Sequence, residues 1–400
     1  MIYKTECIYK KLKDFSSIKS HSDFMNLYKN RSADFSLSDD DILNAFSDLR
    51  LSLAKNLKLD NISFLFANGC SIYAGSKSTT DFKMKDFVSQ NELSKIKNVI
   101  ENISNKPMEE QLNSLITIRE FYHLTNDRKE QIVDKIISKI KESLLDKYVN
   151  SVNYNKLYLH EVMLMKLRSF GCLDRVCFNT LNYDLAFEYV LDKLGIDYDN
   201  GFSGFVNRKF DHKSLQYSHK TKLVKLHGSV NWVFDKRDNT IKEIQPIFSE
   251  NGDVIISKKE HVLIYPTEQK LYQTYNAPYS ELMRSMLNYF ESERNVILVI
   301  GYRYADEHIN EILYKAVANP NNIFYFFDYD NGSSPFIKKM IELSNTLQNI
   351  NILLGEFLGD FETFVKYILP ANVEKTDEER IFELLNKVID KKQSEVINEK

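Results

Sequence analysis

The stretch Ile62–Ser71, ISFLFANGCS, decides the fold. Ile62–Ala67 is a short apolar run that stops at Asn68-Gly69. An apolar run without alternation suits a strand buried on both faces of a parallel sheet. Similar runs recur downstream, each followed by a helical period. Strands are predicted over 175–179, 222–226, 262–265, 296–300, 323–327 and 350–354, and helices over 184–194, 278–290, 307–318 and 334–347. This alternation predicts an α/β protein with a doubly wound, Rossmann-like parallel sheet.

Between the first strand and the rest, residues 81–170 keep a helical period. Ile132, Val133, Ile136, Ile137, Ile140, Leu144 and Leu145 make one apolar stripe there, the face of a core-directed helix. A large helical insertion after the first strand is therefore expected. Upstream, Ser38 reads as an N-cap, with Ile42, Leu43, Phe46, Leu49, Leu53 and Leu57 following at helical spacing, while the first 37 residues have no clear period. After Pro370, residues 378–397 form a charged amphipathic helical pattern. The expected organisation is a mostly helical extension (1–60), one α/β domain (61–370) and a terminal helix (371–400).

Composition narrows the function classes. The chain has 400 residues, 53 basic against 56 acidic, for a net charge of −3. That balance gives no electrostatic case for direct nucleic-acid binding. Hydrophobic residues at 43% exclude a mostly disordered chain, and only 12 glycines and 7 prolines exclude a turn-dense all-β protein. No apolar run is long enough for a membrane span, and the N-terminus MIYKTECIYKKLKDF has no signal-peptide core. Four cysteines without CxxC pairs fit a reducing, cytoplasmic setting with no structural metal.

In a doubly wound sheet, ligands sit at the carboxyl ends of the strands. Four segments stand there. In Ala67-Asn68-Gly69-Cys70-Ser71, glycine permits close backbone approach and Ser71 offers a hydroxyl to phosphate; the alternative is a tight strand-to-helix turn. In Thr180-Leu181-Asn182-Tyr183-Asp184, Asn182 suits a sugar diol and Asp184 an amide or hydroxyl; the alternative is helix capping by Asn182. In Leu226-His227-Gly228-Ser229, His227 suits a general base at a strand end, or a satisfied core histidine. In Gly301-Tyr302-Arg303-Tyr304-Ala305-Asp306, Arg303 suits phosphate, and Asp306 can simply cap the next helix.

Together the four segments resemble the sirtuin-like NAD-binding proteins, in particular their NAD-destroying bacterial antiphage branch, over about 62–354. ANGCS with Gly75 resembles the family's GAGxS phosphate loop, TLNYD its T-x-N-x-D element and KLHGSVNW the strand bearing the catalytic histidine. LIYPTEQK followed by VIGYRYADEHIN is similar to the second half of sirtuin-like defence domains. Three departures stand out. Ala67 replaces the first loop glycine, Lys83 follows Phe82 where the family has arginine, and no cysteine follows His227 to build a four-thiolate zinc module.

The resemblance implies hydrolysis of NAD+ to nicotinamide and ADP-ribose, with Asn182 and His227 catalytic and no metal. It assigns Ala67, Gly69, Ser71, Asp184, Gly228, Gly301, Tyr302 and Arg303 to NAD+ binding. A zinc-free protein deacylase or ADP-ribosyltransferase, and a non-catalytic NAD or ADP-ribose sensor, are the alternatives. It also implies a homo-oligomer under a separate regulator, either a translocase-type ATPase, a nucleotide-processing subunit or a phage trigger. Residues 1–60 and 378–397 are the expected assembly surfaces.

Overall fold

A computed structural model describes residues 1–12, 20–29, 39–58, 61–77, 94, 96, 103, 106, 108–149, 151–255, 261–263, 277–291 and 294–371. The N-cap reading of Ser38, the Phe82-Lys83 departure and the helix at 378–397 lie outside these residues.

The chain opens with β1 (Ile2–Lys4), α1 (Thr5–Lys11), α2 (His21–Lys29), α3 (Asp39–Ala45) and α4 (Ser47–Asn56) before reaching β2 (Asn61–Phe66). The insertion follows as α5 (Met108–Leu124), α6 (Lys129–Val149) and α7 (Tyr158–Ser169). Then come β3 (Val176–Thr180), α8 (Ala186–Lys193), β4 (Tyr198–Asp199), β5 (Phe202–Ser203), β6 (Arg208–Phe210), α9 (His212–Tyr217), β7 (Thr221–Lys225) and β8 (Gly228–Asp235). Further on are β9 (Thr240–Glu243), β10 (Ile247–Phe248), β11 (Val254–Ile255) and β12 (His261–Leu263). The final part is α10 (Tyr279–Glu291), β13 (Asn295–Ile300), α11 (Glu307–Val317), β14 (Asn322–Asp328), α12 (Pro335–Leu343) and β15 (Ile350–Leu354).

Eight strands form one sheet in the order β1-β15-β14-β13-β2-β3-β7-β4, and every neighbouring pair is parallel. The chain leaves β2 toward β3 and β7, then returns on the other side as β13, β14 and β15. The strand order therefore reverses between β2 and β13, the place where such sheets bind ligands.

Strand residues divide by parity between two cores, as the two-residue period of a strand requires. Ile62, Phe64 and Phe66 join Val176, Phe178, Val296, Leu298, Tyr325 and Phe327 on one face, covered by α1–α4, α7 and α8. Leu65, Cys177, Ile297, Val299, Phe324 and Phe326 face the opposite core, covered by α10, α11 and α12. Both faces are buried, which is why these strands read as continuous apolar runs. The insertion keeps a small core of its own between α5 and α6, including Leu112, Leu115, Val133, Ile136, Ile137 and Ile140; the side chains of Leu144 and Leu145 lie outside the described set.

Two features differ from the sequence reading. The extension contributes β1, so the strand preceding the insertion is second in the chain. The apolar face of the extension is spent inside the domain: Ile8, Phe24, Ile42, Phe46, Leu49 and Leu53 share the core of Ile62 and Phe64. The second difference is a five-stranded sheet, β12-β8-β9-β6-β5, in which all pairs are antiparallel. The described part of the predicted strand at 262–265, residues 262–263, belongs there and not to the parallel sheet; the remainder lies outside the described residues.

At the end of the described chain, the buried Lys166 ammonium donates to the carbonyls of Val365, Lys366 and Leu369 at 2.6, 3.1 and 2.9 Å. Burial pushes Lys166 well below its usual basicity, so these carbonyls are its main compensation. Lys166→Met is expected to leave them bare and to lower stability by about 1–3 kcal/mol, read as a shift in the urea midpoint at unchanged slope.

Candidate functional site

The loops that follow β2 and β13 touch backbone to backbone. Ala67 N–H donates to the Ile300 carbonyl at 3.3 Å and Gly69 N–H to the Gly301 carbonyl at 3.0 Å. A Cβ on Gly69 would sit 2.6 Å from Gly301 Cα, and one on Gly301 would sit 2.7 Å from Cys70 N. Gly301 also has φ +69°, a left-handed conformation that side chains resist. The closeness that Gly69 permits is thus first of all closeness to Gly301. Cys70 reinforces the contact by donating from Sγ to the Ile300 carbonyl at 3.3 Å.

The loop after β3 is tied to this pair by buried polar groups. Leu181 N–H donates to the Phe66 carbonyl at 2.9 Å and Asn182 N–H to Thr180 Oγ1 at 3.1 Å. Asn182 Nδ2 donates to Ser71 Oγ at 3.1 Å. The Ser71 hydroxyl in turn bonds the Asp184 carboxylate, whose Oδ1 also accepts from Ala186 N–H at 3.1 Å. Leu185 is the N-cap residue of α8 and Asp184 meets the helix's first N–H, while Asn182 lines the cavity. Ser71 is fully buried and acts by holding Asn182 and Asp184.

Behind this loop stands Lys225, 1% exposed. Its ammonium donates to the carbonyls of Tyr183 and Asp184 and pairs with Glu188 at 3.0 Å. Burial raises the pKa of Asp184, and Lys225, Ala186 N–H and Ser71 oppose that rise only in part. Glu188 is raised for the same first reason, with Lys225 again the main opposing group.

His227 follows the end of β7, and Gly228 (φ +87°) turns the chain out of the parallel sheet into β8. Val230 N–H ties that turn to the Tyr183 carbonyl at 3.1 Å. His227 Nε2 lies 3.1 Å from His308 Nε2, and both rings are buried. A third buried histidine, His160, bonds Tyr73 through Nδ1 at 2.7 Å, and burial pushes its pKa down to about 3. It remains a neutral core residue.

These loops enclose a cavity of about 590 Å³. Ala67, Gly69, Asn182, Asp184, His227, Gly301, Tyr302 and Arg303 line it. Ser71 and Gly228 stand behind the wall, the one as a linker and the other as a turn. Tyr302 presents its ring while its hydroxyl donates to the Asp306 carbonyl at 3.0 Å and lies 3.1 Å from Asn310 Oδ1. Arg303 and Lys77 are exposed cations on the cavity's lining.

Lys77 was not anticipated, nor were Tyr73, Asp328, Asp360 and Phe361 from the same wall. Asp328 ends β14, at a strand end like the four segments above. Burial raises its pKa while Gly332 N–H bonds its carboxylate. Tyr73 and Phe361 are brought in by tertiary packing alone. Among the described residues, no group of three or more His, Cys, Asp or Glu side chains is placed to hold a metal ion. Nor is any of the described helices long and apolar enough to cross a membrane.

Residues 176–352 match the profile of the SIR2-like domain family. The match runs from β3 into β15 and takes in the loops carrying Asn182, His227 and Gly301. No curated protein matches the sequence. Among solved structures, a Sir2 point mutant with a p53 peptide and NAD is similar at 12% identity and TM-score 0.36, covering 81% of this chain and 96% of that one. Sir2Tm bound to a propionylated peptide gives 12%, 0.37, 79% and 95%. A structure on the basis of sirtuin substrate affinity gives 13%, 0.34, 81% and 95%.

Three substitutions test this construction. Gly301→Ala meets both the positive φ and the Cys70 backbone, and is expected to cost about 1–3 kcal/mol or more. Gly171→Ala, at φ +61° with nothing within 4 Å of its Cβ, carries the backbone strain without the clash and is expected to cost less. Asp184→Asn removes a carboxylate whose native pKa exceeds its unfolded one. The native state holds that proton more tightly, so its stability falls as pH rises through the native pKa. The amide variant escapes this loss. Its melting temperature is expected to match the parent's below about pH 4 and to exceed it at pH 8.

Proposed function

We propose that the chain is an NAD+ glycohydrolase that cleaves the nicotinamide–ribose bond to give nicotinamide and ADP-ribose. One observation carries the reading. The cavity spans the carboxyl ends of five adjacent strands, β14, β13, β2, β3 and β7, from Asp328 to His227. Four strand spacings of about 4.8 Å make a slot roughly 19 Å long, suited to an extended dinucleotide with its middle at the switch point. The donor set fits the same ligand. Arg303 and Lys77 suit the pyrophosphate, and the glycine pair lets that group lie close to the backbone. Carboxylates at the Asp328 end suit ribose hydroxyls. The SIR2-like match over the central loops supports the assignment.

Such a ligand brings one weak bond, C1′–N, whose cleavage leaves positive charge on the ribose. Asn182, oriented by Ser71, is placed to hold a ribose hydroxyl or the attacking water through its amide oxygen. His227 acts as general base toward that water or hydroxyl. Buried carboxylate at Asp184 favours developing positive charge nearby and fixes the loop that carries Asn182. Lys225 fixes the same loop from behind.

The resemblance to NAD-destroying defence proteins supports a role in antiphage defence by NAD depletion. Control through self-assembly or a separate regulatory protein follows from the toxicity of an unrestrained NADase. The extension would offer its solvent faces to such contacts, since its apolar face is occupied.

The test is a time course of NAD+ consumption with product identification, with no protein acceptor present. Release of nicotinamide and free ADP-ribose is expected. A requirement for an acylated or nucleophilic acceptor would instead support the transferase reading. His227→Ala and Asn182→Ala are each expected to lower turnover by about 10²–10⁴-fold. Parent-like turnover in His227→Ala would remove the site assignment.

A further inference from the structure

The GYRYADEH segment brings a second histidine against the first. His308 is the second residue of α11, in the helix's first turn, two positions after the Asp306 N-cap residue. It is 6% exposed, against 4% for His227. The ring centroids are 5.3 Å apart at an interplanar angle of 40°, and Nε2 faces Nε2 at 3.1 Å. That is hydrogen-bond distance. Two facing imidazole nitrogens form this bond only if one carries hydrogen and the other a lone pair. The pair therefore holds one proton between the two Nε2 atoms. His227 lines the cavity, whereas His308 does not.

We propose that His308 is a positioning residue for His227, accepting the Nε2–H of His227 and so fixing which ring nitrogen serves as base. The inference rests on the NADase reading for its kinetic consequence, but the pair itself can be tested without it. One argument gives the bond its consequence and another its direction. The hydrogen bond at one imidazole nitrogen determines the tautomer at the other. The N-terminal end of α11 carries positive partial charge, which disfavours a cationic His308 and leaves the charge with His227. In the reaction, the other nitrogen of His227 takes a proton from the attacking oxygen, which keeps the electron pair and bonds to C1′. The resulting imidazolium keeps its Nε2–H directed at the His308 lone pair. After product release that added proton passes to solvent, balancing hydrolysis to nicotinamide, ADP-ribose and one proton.

The experiment compares parent, His308→Leu and His308→Gln as full-length proteins of verified thermal stability. A glutamine amide oxygen can accept the same hydrogen bond; leucine cannot. The expected result is a fall in kcat of about tenfold or more for His308→Leu with KM changed less than about twofold. His308→Gln is expected to recover kcat to within about threefold of the parent. An unchanged kcat in His308→Leu, a change confined to KM, or no recovery with glutamine would overturn the proposal.

Histidine-selective ¹⁵N NMR, with the His227 signals assigned by their loss in His227→Gln, reads the bond without turnover. The expected pattern is a protonated Nε2 on His227 in parent and His308→Gln, altered in His308→Leu. His227 signals indifferent to His308→Leu would overturn the pairing. A parent that consumes no NAD+ yet shows the expected NMR pattern would reject the NADase reading and leave the pair established.

Discussion

The backbone contact between Gly69 and Gly301 is the constraint on which the rest of the site depends. A parallel sheet places all its carboxyl strand ends along one edge, but that edge is normally covered by loops crossing to helices. Here the two loops that leave the central strands β2 and β13 meet backbone to backbone, held by the 3.0 Å Gly69–Gly301 bond and the 3.3 Å Ala67–Ile300 bond. A side chain on either glycine would separate the loops by an atom's width. It would also move Ser71, and with it Asn182 and Asp184, because the polar links run outward from this contact.

Those links are costly to build. Ser71, Asn182, Asp184, Glu188 and Lys225 are all buried. Isolated charges in such a place would be strongly destabilising, and paired ones only approach balance. The residual penalty shows in the direction of the shifts: burial wins over Lys225 for both Asp184 and Glu188. A well-packed apolar cluster would give a more stable loop. What the polar version supplies is orientation. Asn182 is held through Nδ2 and lines the cavity, and the carbonyls of Tyr183 and Asp184 are pinned from behind by Lys225. Precision here is obtained at some expense of stability, a common balance at sites that must place reacting groups within fractions of an ångström.

The central sheet was legible because its strands are buried on both faces and so read as unbroken apolar runs. β2, β3, β7, β13, β14 and β15 all fall where those runs lie, within a residue or so at each end. β1 was not legible. Its three residues, Ile2–Lys4, gain their strand identity only by pairing with β15. The antiparallel sheet was missed for a related reason. Apart from β8 its strands have two to four residues, and β9, with the pattern TIKE, is half-buried along its length, so no periodicity stands out. Of the site, the four segments at strand ends were found because glycine, asparagine and histidine after a buried run are unusual. Tyr73, Lys77 and Phe361 carry no such local mark, and their place on the wall is a tertiary fact. Asp328 is different in kind. It ends the run NIFYFFD and was available to the same strand-end rule.

The place of His227 follows from the junction between the two sheets. β7 belongs to the parallel sheet and β8 to the antiparallel one, and only Leu226 and His227 lie between them. The chain must turn sharply there, which Gly228 allows at φ +87°. A side chain at such a corner is fixed by two sheets at once: Tyr183 receives Val230 N–H from one side and Lys225 from the other. On the remaining side the first turn of α11 delivers His308. The loop that provides Gly301 for the central contact thus also leads into the helix that provides the partner of His227. Movement of that loop would disturb the proposed phosphate end and the proposed base together. The two halves of the proposed chemistry are therefore mechanically one unit, anchored where β13 ends.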